Sequence, residues 1–227
     1  MTDKFIYPTE YFLQEGRENL DQCLQATFEA AVDHSIDKVI IFTAAGVGVM
    51  KAIRDYRSQD QFAEIELIAV TYPSQTQFTT DDPSEYTMSS ETCKFLADQK
   101  VPIVRAHLPF DPVRSEYKGH GVLGQDFGLI GNTLRIFCGS MSLCVQAVLM
   151  ASDAGCVKLG EHVIAMTSDT SILVRAAGTS RFLTDLIVRE ILCKPVLLTI
   201  GKSERAESIL NDSTEEAQST PELLPPT

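Results

Sequence analysis

Positive charge is scarce in this chain: 19 lysines and arginines stand against 31 aspartates and glutamates in 227 residues, a formal net charge of −12. A surface so poor in cations does not suit a phosphate backbone, so no nucleic-acid partner is expected. The six cysteines, Cys23, Cys93, Cys138, Cys144, Cys156 and Cys193, include no Cys-x-x-Cys pair, and no histidine stands at metal-ligand spacing from them. They read as buried thiols of a reducing cytoplasm, with neither a disulfide framework nor a metal expected. Long apolar runs are also missing. The most apolar stretch, Leu134 to Ala151, is interrupted by Arg135, Gly139, Ser140, Ser142 and Gln146, which is too polar to span a membrane alone. The opening MTDKFIYPTEYF carries acids and a proline where a signal peptide needs a basic flank and an apolar run. A soluble cytoplasmic protein without membrane contact is therefore expected.

What is present is an apolar share of 44%, enough for a sizeable core. Residues 1–201 read as a single α/β domain without internal repeats. From Lys202 to Thr227 the composition turns acidic and proline-rich, which marks a disordered tail. Within the body, Leu20, Cys23, Leu24, Thr27, Phe28 and Ala31 recur at helical spacing, and Asn19, with Gln22 three residues on, suits the cap. The first helix then runs from Leu20 to about His34. Lys38 to Thr43, Ile65 to Thr71 and Pro102 to Ala106 are apolar, β-branched strands, with helices at Val49 to about Tyr56 and about Glu91 to Gln99 between them.

Strands of this kind alternating with helices predict a doubly wound, mostly parallel sheet covered on both faces, a three-layer α/β/α fold. After a long loop, Leu108 to Gly121, a helical region follows from Gly131 to Asp153, with a break near Gly139. His162 to Met166 and Ile172 to Ala176 are strands separated only by Thr167 to Ser171. That gap is too short for a crossover, so one antiparallel pair is expected. A helix from Arg181 to Glu190 and a strand from Pro195 to Ile200 complete the expected order.

Ligands of open α/β sheets bind beyond the carboxyl ends of the strands. That directs attention to Thr43-Ala44-Ala45-Gly46-Val47-Gly48, where small residues let backbone amides approach an anion at a helix N-terminus. The same glycines serve equally well to make the turn and pack helix on strand. The loop lacks the lysine of a P-loop and the third glycine of a dinucleotide fingerprint. Arg17 and Asn19 precede a helix that begins near the same end of the sheet. The arginine either clamps phosphate or is a solvated charge, and Asn19 either reaches the site or only caps. Tyr72 either stacks on a ligand ring or packs at a strand end. His120, in the long loop, is either a ligand-binding or proton-transfer group or a plain loop histidine. Thr167, Ser168 and Thr170 either complete an anion pocket or make an ordinary hairpin turn. No Ser-His-acid set is recognisable, so catalytic residues remain unknown.

The run KVIIFTAAGVGVMKAIRDY followed by IELIAVTYP resembles the pyruvate kinase C-terminal domain, and more closely the stand-alone pyruvate kinase C-terminal-domain-like proteins. Further similarities are Gly16-Arg17-Glu18-Asn19, Met50 to Ala52, Val70 to Tyr72, a run ending at Arg105, Met150 to Gly155, and Arg189 to Pro195. Together they extend from Tyr7 to Pro195. The resemblance implies a three-layer fold in which four parallel strands are joined by one antiparallel strand. It also implies a loop that binds the phosphate of a sugar bisphosphate or of FMN. Thr43 and Gly46 match that loop, while Gly48, Ala44 and Ala45 replace hydroxyl residues, leaving backbone amides and Thr43 to hold the anion. Pyruvate kinase chemistry belongs to a separate barrel domain absent from these residues, so a complete pyruvate kinase is not expected. The expected function is binding of a phosphorylated small molecule, FMN or a sugar or nucleotide phosphate. The alternatives are a flavin-dependent or phosphate-ester-handling enzyme with His120 as proton carrier, or a regulatory module. The related kinase domain takes part in subunit contacts, which makes a homodimer the expected assembly.

Overall fold

A computed structural model describes residues 7–76, 86–110 and 122–196, side chains 122–128 apart. His120, the greater part of the Leu108 to Gly121 loop and the Lys202 to Thr227 tail lie outside the described residues.

Among the described residues seven strands form one sheet: β1 (Glu10–Phe12), β2 (Lys38–Phe42), β3 (Glu66–Thr71), β4 (Ile103–Arg105), β5 (His162–Met166), β6 (Ser171–Arg175) and β7 (Ile187–Pro195), in the order β1-β7-β6-β5-β2-β3-β4. β2 pairs parallel with β3 and β5, β3 with β4, and β1 with β7, while β6 runs antiparallel to both neighbours. One reversed strand therefore joins two parallel groups. The four-residue link after β5, one shorter than expected because β6 already begins at Ser171, enforces the reversal, since it is too short to carry the chain back along the sheet.

The central strands β2, β3, β5 and β6 are buried on both faces, and their alternate residues enter different cores. Val39, Ile41, Leu67, Ala69, Ile164 and Met166 meet α1 (Leu20–Asp33), α2 (Val47–Lys51) and α3 (Ser90–Asp98). Ile40, Phe42, Ile68, Val70, Val163 and Ala165 meet α5 (Met141–Asp153) on the other face. α1 commits one stripe to its core, Cys23, Leu24, Thr27, Phe28 and Ala31, at the spacing of successive turns. By contrast α5 is buried at every position from Cys144 to Ser152, since it lies between the sheet and α4 (Val122–Arg135). Its one large polar core residue is satisfied: Gln146 Oε1 accepts from Phe110 N at 2.9 Å and Nε2 donates to Ser142 Oγ at 3.2 Å. Among the described residues no helix is long and apolar enough to cross a membrane.

Several expectations need correction. The helix expected from Arg181 to Glu190 is only the turn α6 (Phe182–Asp185), and Ile187 to Pro195 is the strand β7; of the strand expected from Pro195 to Ile200, all beyond Val196 lies outside the described residues. Two shifts of register between β6 and β7 disturb the alternation of IVREILCKP, so its period does not announce a strand. α4 begins at Val122 rather than Gly131, and the break near Gly139 separates two helices. α2 begins at Val47 and widens over Ala52–Tyr56 into i to i−5 turns, as in Arg57 N to Ala52 O at 3.0 Å. Asn19 makes no side-chain cap; its Nδ2 donates instead to Gln14 O at 2.8 Å. Of the six thiols, Cys93 and Cys156 are only half-buried.

Candidate functional site

From β2 the chain winds outward through β3 to β4, then crosses back to place β5 on the other side of β2. The strand order thus reverses between β2 and β5, and at their carboxyl ends the loop after β2 turns away into α2 while the tight turn after β5 returns at once as β6, which leaves a crevice between them. A cavity of about 450 Å³ lies there. It is lined by Thr43, Ala44, Ala45, Val47 and Gly48 after β2, Tyr72 after β3, Thr167 and Ser168 after β5, and Arg17 ahead of α1.

Local sequence explains the shape of its floor. Thr43 extends β2 by donating its N–H to Val70 O at 2.9 Å, and its Oγ1 accepts from Gly46 N at 3.1 Å. Thr71 Oγ1 donates to Ala44 O at 3.1 Å, so the neighbouring strand braces the loop. Gly46 is left-handed, with φ 93°, and a Cβ there would meet Thr92 Cγ2 at 2.5 Å. Only glycine makes that turn without strain. The turn presents the first-turn amides of α2, at Val47, Gly48 and Val49, which have no acceptor within the helix.

Aromatic rings and hydroxyls complete the wall. Tyr72 stands edge-on to Phe42 with centroids 5.2 Å apart and planes at 90°. The Arg17 guanidinium lies over the Tyr86 ring, 5.9 Å from its centroid. Ser140 and Leu143 come from the start of α5, and Leu20, Ile41 and Phe42 add apolar surface. The described lining has one cation, Arg17, and no carboxylate, imidazole or thiol. That balance suits an anion with an apolar or aromatic body.

Three of the expected residues do not line this cavity. Asn19 turns back to Gln14. Gly46 packs toward α3, and its amide is engaged by Thr43. Thr170 is fully buried beneath the site, donating to Asp169 Oδ1 at 3.0 Å and touching Cys138 Sγ at 3.3 Å. The sequence reading missed Tyr86, Ser140 and Leu143, which come from segments distant in the chain and carry no local signal. It also passed over Asp169 within a turn it had singled out. Asp169 is 3% exposed, with Oδ1 accepting from Thr167 and Thr170 and Oδ2 from Gly16 N at 3.0 Å.

The thiols beneath the site lie in surroundings that disfavour the thiolate. Burial pushes Cys23 and Cys144 well above the usual thiol range, and burial also raises Cys138 despite its contact with Thr170. No protein-family model matches the chain.

Proposed function

We propose that this is a cytoplasmic small-molecule-binding protein that holds a phosphorylated ligand, FMN or a sugar or nucleotide phosphate, in the cavity at the β2/β5 switch point. The observation that carries the reading is the convergence there of Arg17, the first-turn amides of α2 and the rings of Tyr72 and Tyr86 around about 450 Å³. Pockets for small molecules span roughly 300–1,000 Å³, so one ligand fits. The phosphate accepts from the amides of Val47 and Gly48 and pairs with Arg17. The ligand body lies against Tyr72, Leu20 and Leu143. The choice of FMN among phosphorylated compounds rests on the resemblance to pyruvate kinase C-terminal-domain-like proteins, and membership of that family is part of the proposal. Binding is favoured over catalysis because the described lining has no group suited to carry a proton at neutral pH.

Native mass spectrometry with an absorbance spectrum of the purified protein tests the reading, followed by titration with FMN and inorganic phosphate. A non-covalent mass or saturable binding that is lost in Arg17→Ala supports it. Gly48→Asp is a second probe, because its Cβ faces Ile41 and Leu20 on the cavity wall and brings a carboxylate against the anion. Binding that survives both substitutions at full affinity sinks the site.

A further inference from the structure

Three consecutive residues at the mouth of the cavity are each tied to a different wall. Glu15 Oε1 accepts from Gly139 N, at 2.7 Å, in the turn between α4 and α5. Gly16 N donates to Asp169 Oδ2, at 3.0 Å, in the turn between β5 and β6. Arg17 lies over Tyr86, ahead of α3. The middle tie uses a carboxylate that is almost fully buried, which is costly unless its acceptors are filled. The hairpin turn does not need that carboxylate for closure, because Thr167 N already donates to Thr170 O at 2.8 Å. Oδ1 serves the two threonines of its own turn, whereas Oδ2 reaches across the chain to Gly16. Gly16 has φ 152° and ψ 172°, a backbone conformation that residues with a Cβ rarely adopt. The turn is therefore specific to glycine, and it aims its amide at Asp169 while carrying Arg17 to the cavity.

We infer that Asp169 is a positioning residue for the ligand. It does not line the cavity, but by holding Gly16 it sets where the Arg17 guanidinium stands, and hence how well a phosphate is clamped. Glu15 does the same from the α5 side. This rests on the reading that the cavity takes a phosphorylated ligand.

Asp169→Asn separates the two lobes. If the amide oxygen stays with the threonine hydroxyls, its NH2 faces the Gly16 N–H donor to donor and the turn is released. Dissociation constants for FMN and inorganic phosphate, measured for the full chain, are expected to rise about tenfold in Asp169→Asn, and in Glu15→Ala, whose half-buried side chain is the safer variant for folding. In an Arg17→Ala background neither change should weaken binding further. A merely structural role predicts losses that add in full to that of Arg17→Ala, and that outcome overturns the inference. So does unchanged affinity in both variants when Arg17→Ala is itself weakened. If the native protein binds neither probe, or Arg17→Ala binds as well as native, the ligand reading falls and this inference with it.

Discussion

The Sγ atoms of Cys23 and Cys193 stand 3.2 Å apart between α1 and β7, with no solvent exposure at either residue. Cys23 also meets Thr167 O at 3.5 Å, and Cys144 meets Thr170 O at 3.5 Å, so thiols underlie the turn at the cavity. Burial first, and then the neighbouring Cys193, hold the Cys23 thiol far above its ordinary value. Alkylation of the native protein near pH 8 should label Cys93 and Cys156 and spare Cys23, Cys138, Cys144 and Cys193 until denaturant is added. Mass analysis of the peptides checks this, and native labelling of Cys23 at the rate of Cys93 would contradict it.

At the opposite end of the sheet Lys38 Nζ lies 2.7 Å from Glu161 Oε1, while Lys158 N donates to Oε2 at 2.7 Å. The hydrogen bond to Glu161 raises Lys38 above the usual lysine value. Burial pushes Glu161 up, but the bonds from Lys38 and the Lys158 amide outweigh it, and the net shift is downward. A carboxylate depressed in the folded state stabilises above its unfolded value of about 4.3, and the gain is lost as pH falls through the folded value. The lysine contribution is complete below about 10.4 and fades as pH rises through its raised value. Glu161→Gln should cost about 1–3 kcal/mol at pH 7 and leave a flatter acid limb in urea titrations run from pH 3 to 7.

The two glycines of the β2–α2 loop should respond differently. Gly46→Ala meets both a left-handed backbone and Thr92, and should cost about 1–3 kcal/mol. Gly48→Ala places its Cβ 3.4 Å from Ile41 Cγ2, so stability should change by no more than about 1 kcal/mol. Equilibrium unfolding of the pair decides; equal losses would show that turn geometry does not separate them.

Phe28 anchors the α1 face. Its ring stacks on Tyr56 at 4.7 Å and meets Phe62 edge-on at 5.3 Å. The wide turns after α2 bring Tyr56 to this contact. Phe28→Ala should cost about 3–5 kcal/mol with an unchanged denaturant slope. A loss below about 1 kcal/mol would mean that the three rings do not act as one cluster.

β2, β3 and β5 are legible in the sequence because buried parallel strands must be apolar on both faces, and β6 because so short a link to β5 leaves one geometry. β1 is not: Glu10–Phe12 is mostly exposed, and it exists as a strand through pairing with residues near position 194. β7 hides its period behind register shifts. At the site, Thr43, Ala44, Ala45, Val47 and Gly48 share one loop and are visible together. Tyr86 and Ser140 join them only through the fold, and nothing in the sequence distinguishes a buried Asp169 from a solvated turn residue. Gly46 and Gly48 look alike as letters; backbone dihedrals assign one to the turn and leave the other on the wall.

The pairing of β1 with β7 also orders events during synthesis. Glu10 must wait for Cys193, so among the described strands the first to be made has its partner made last. β2 through β5, with the loop that floors the cavity, can associate before then. Glu15, Gly16 and Arg17 follow directly on β1, and their anchorage to the sheet is completed only when β7 emerges. A nascent chain halted before Ile187 would therefore hold Glu15, Gly16 and Arg17 through Gly139, Asp169 and Tyr86 alone, without the strand pairing that fixes the segment ahead of them.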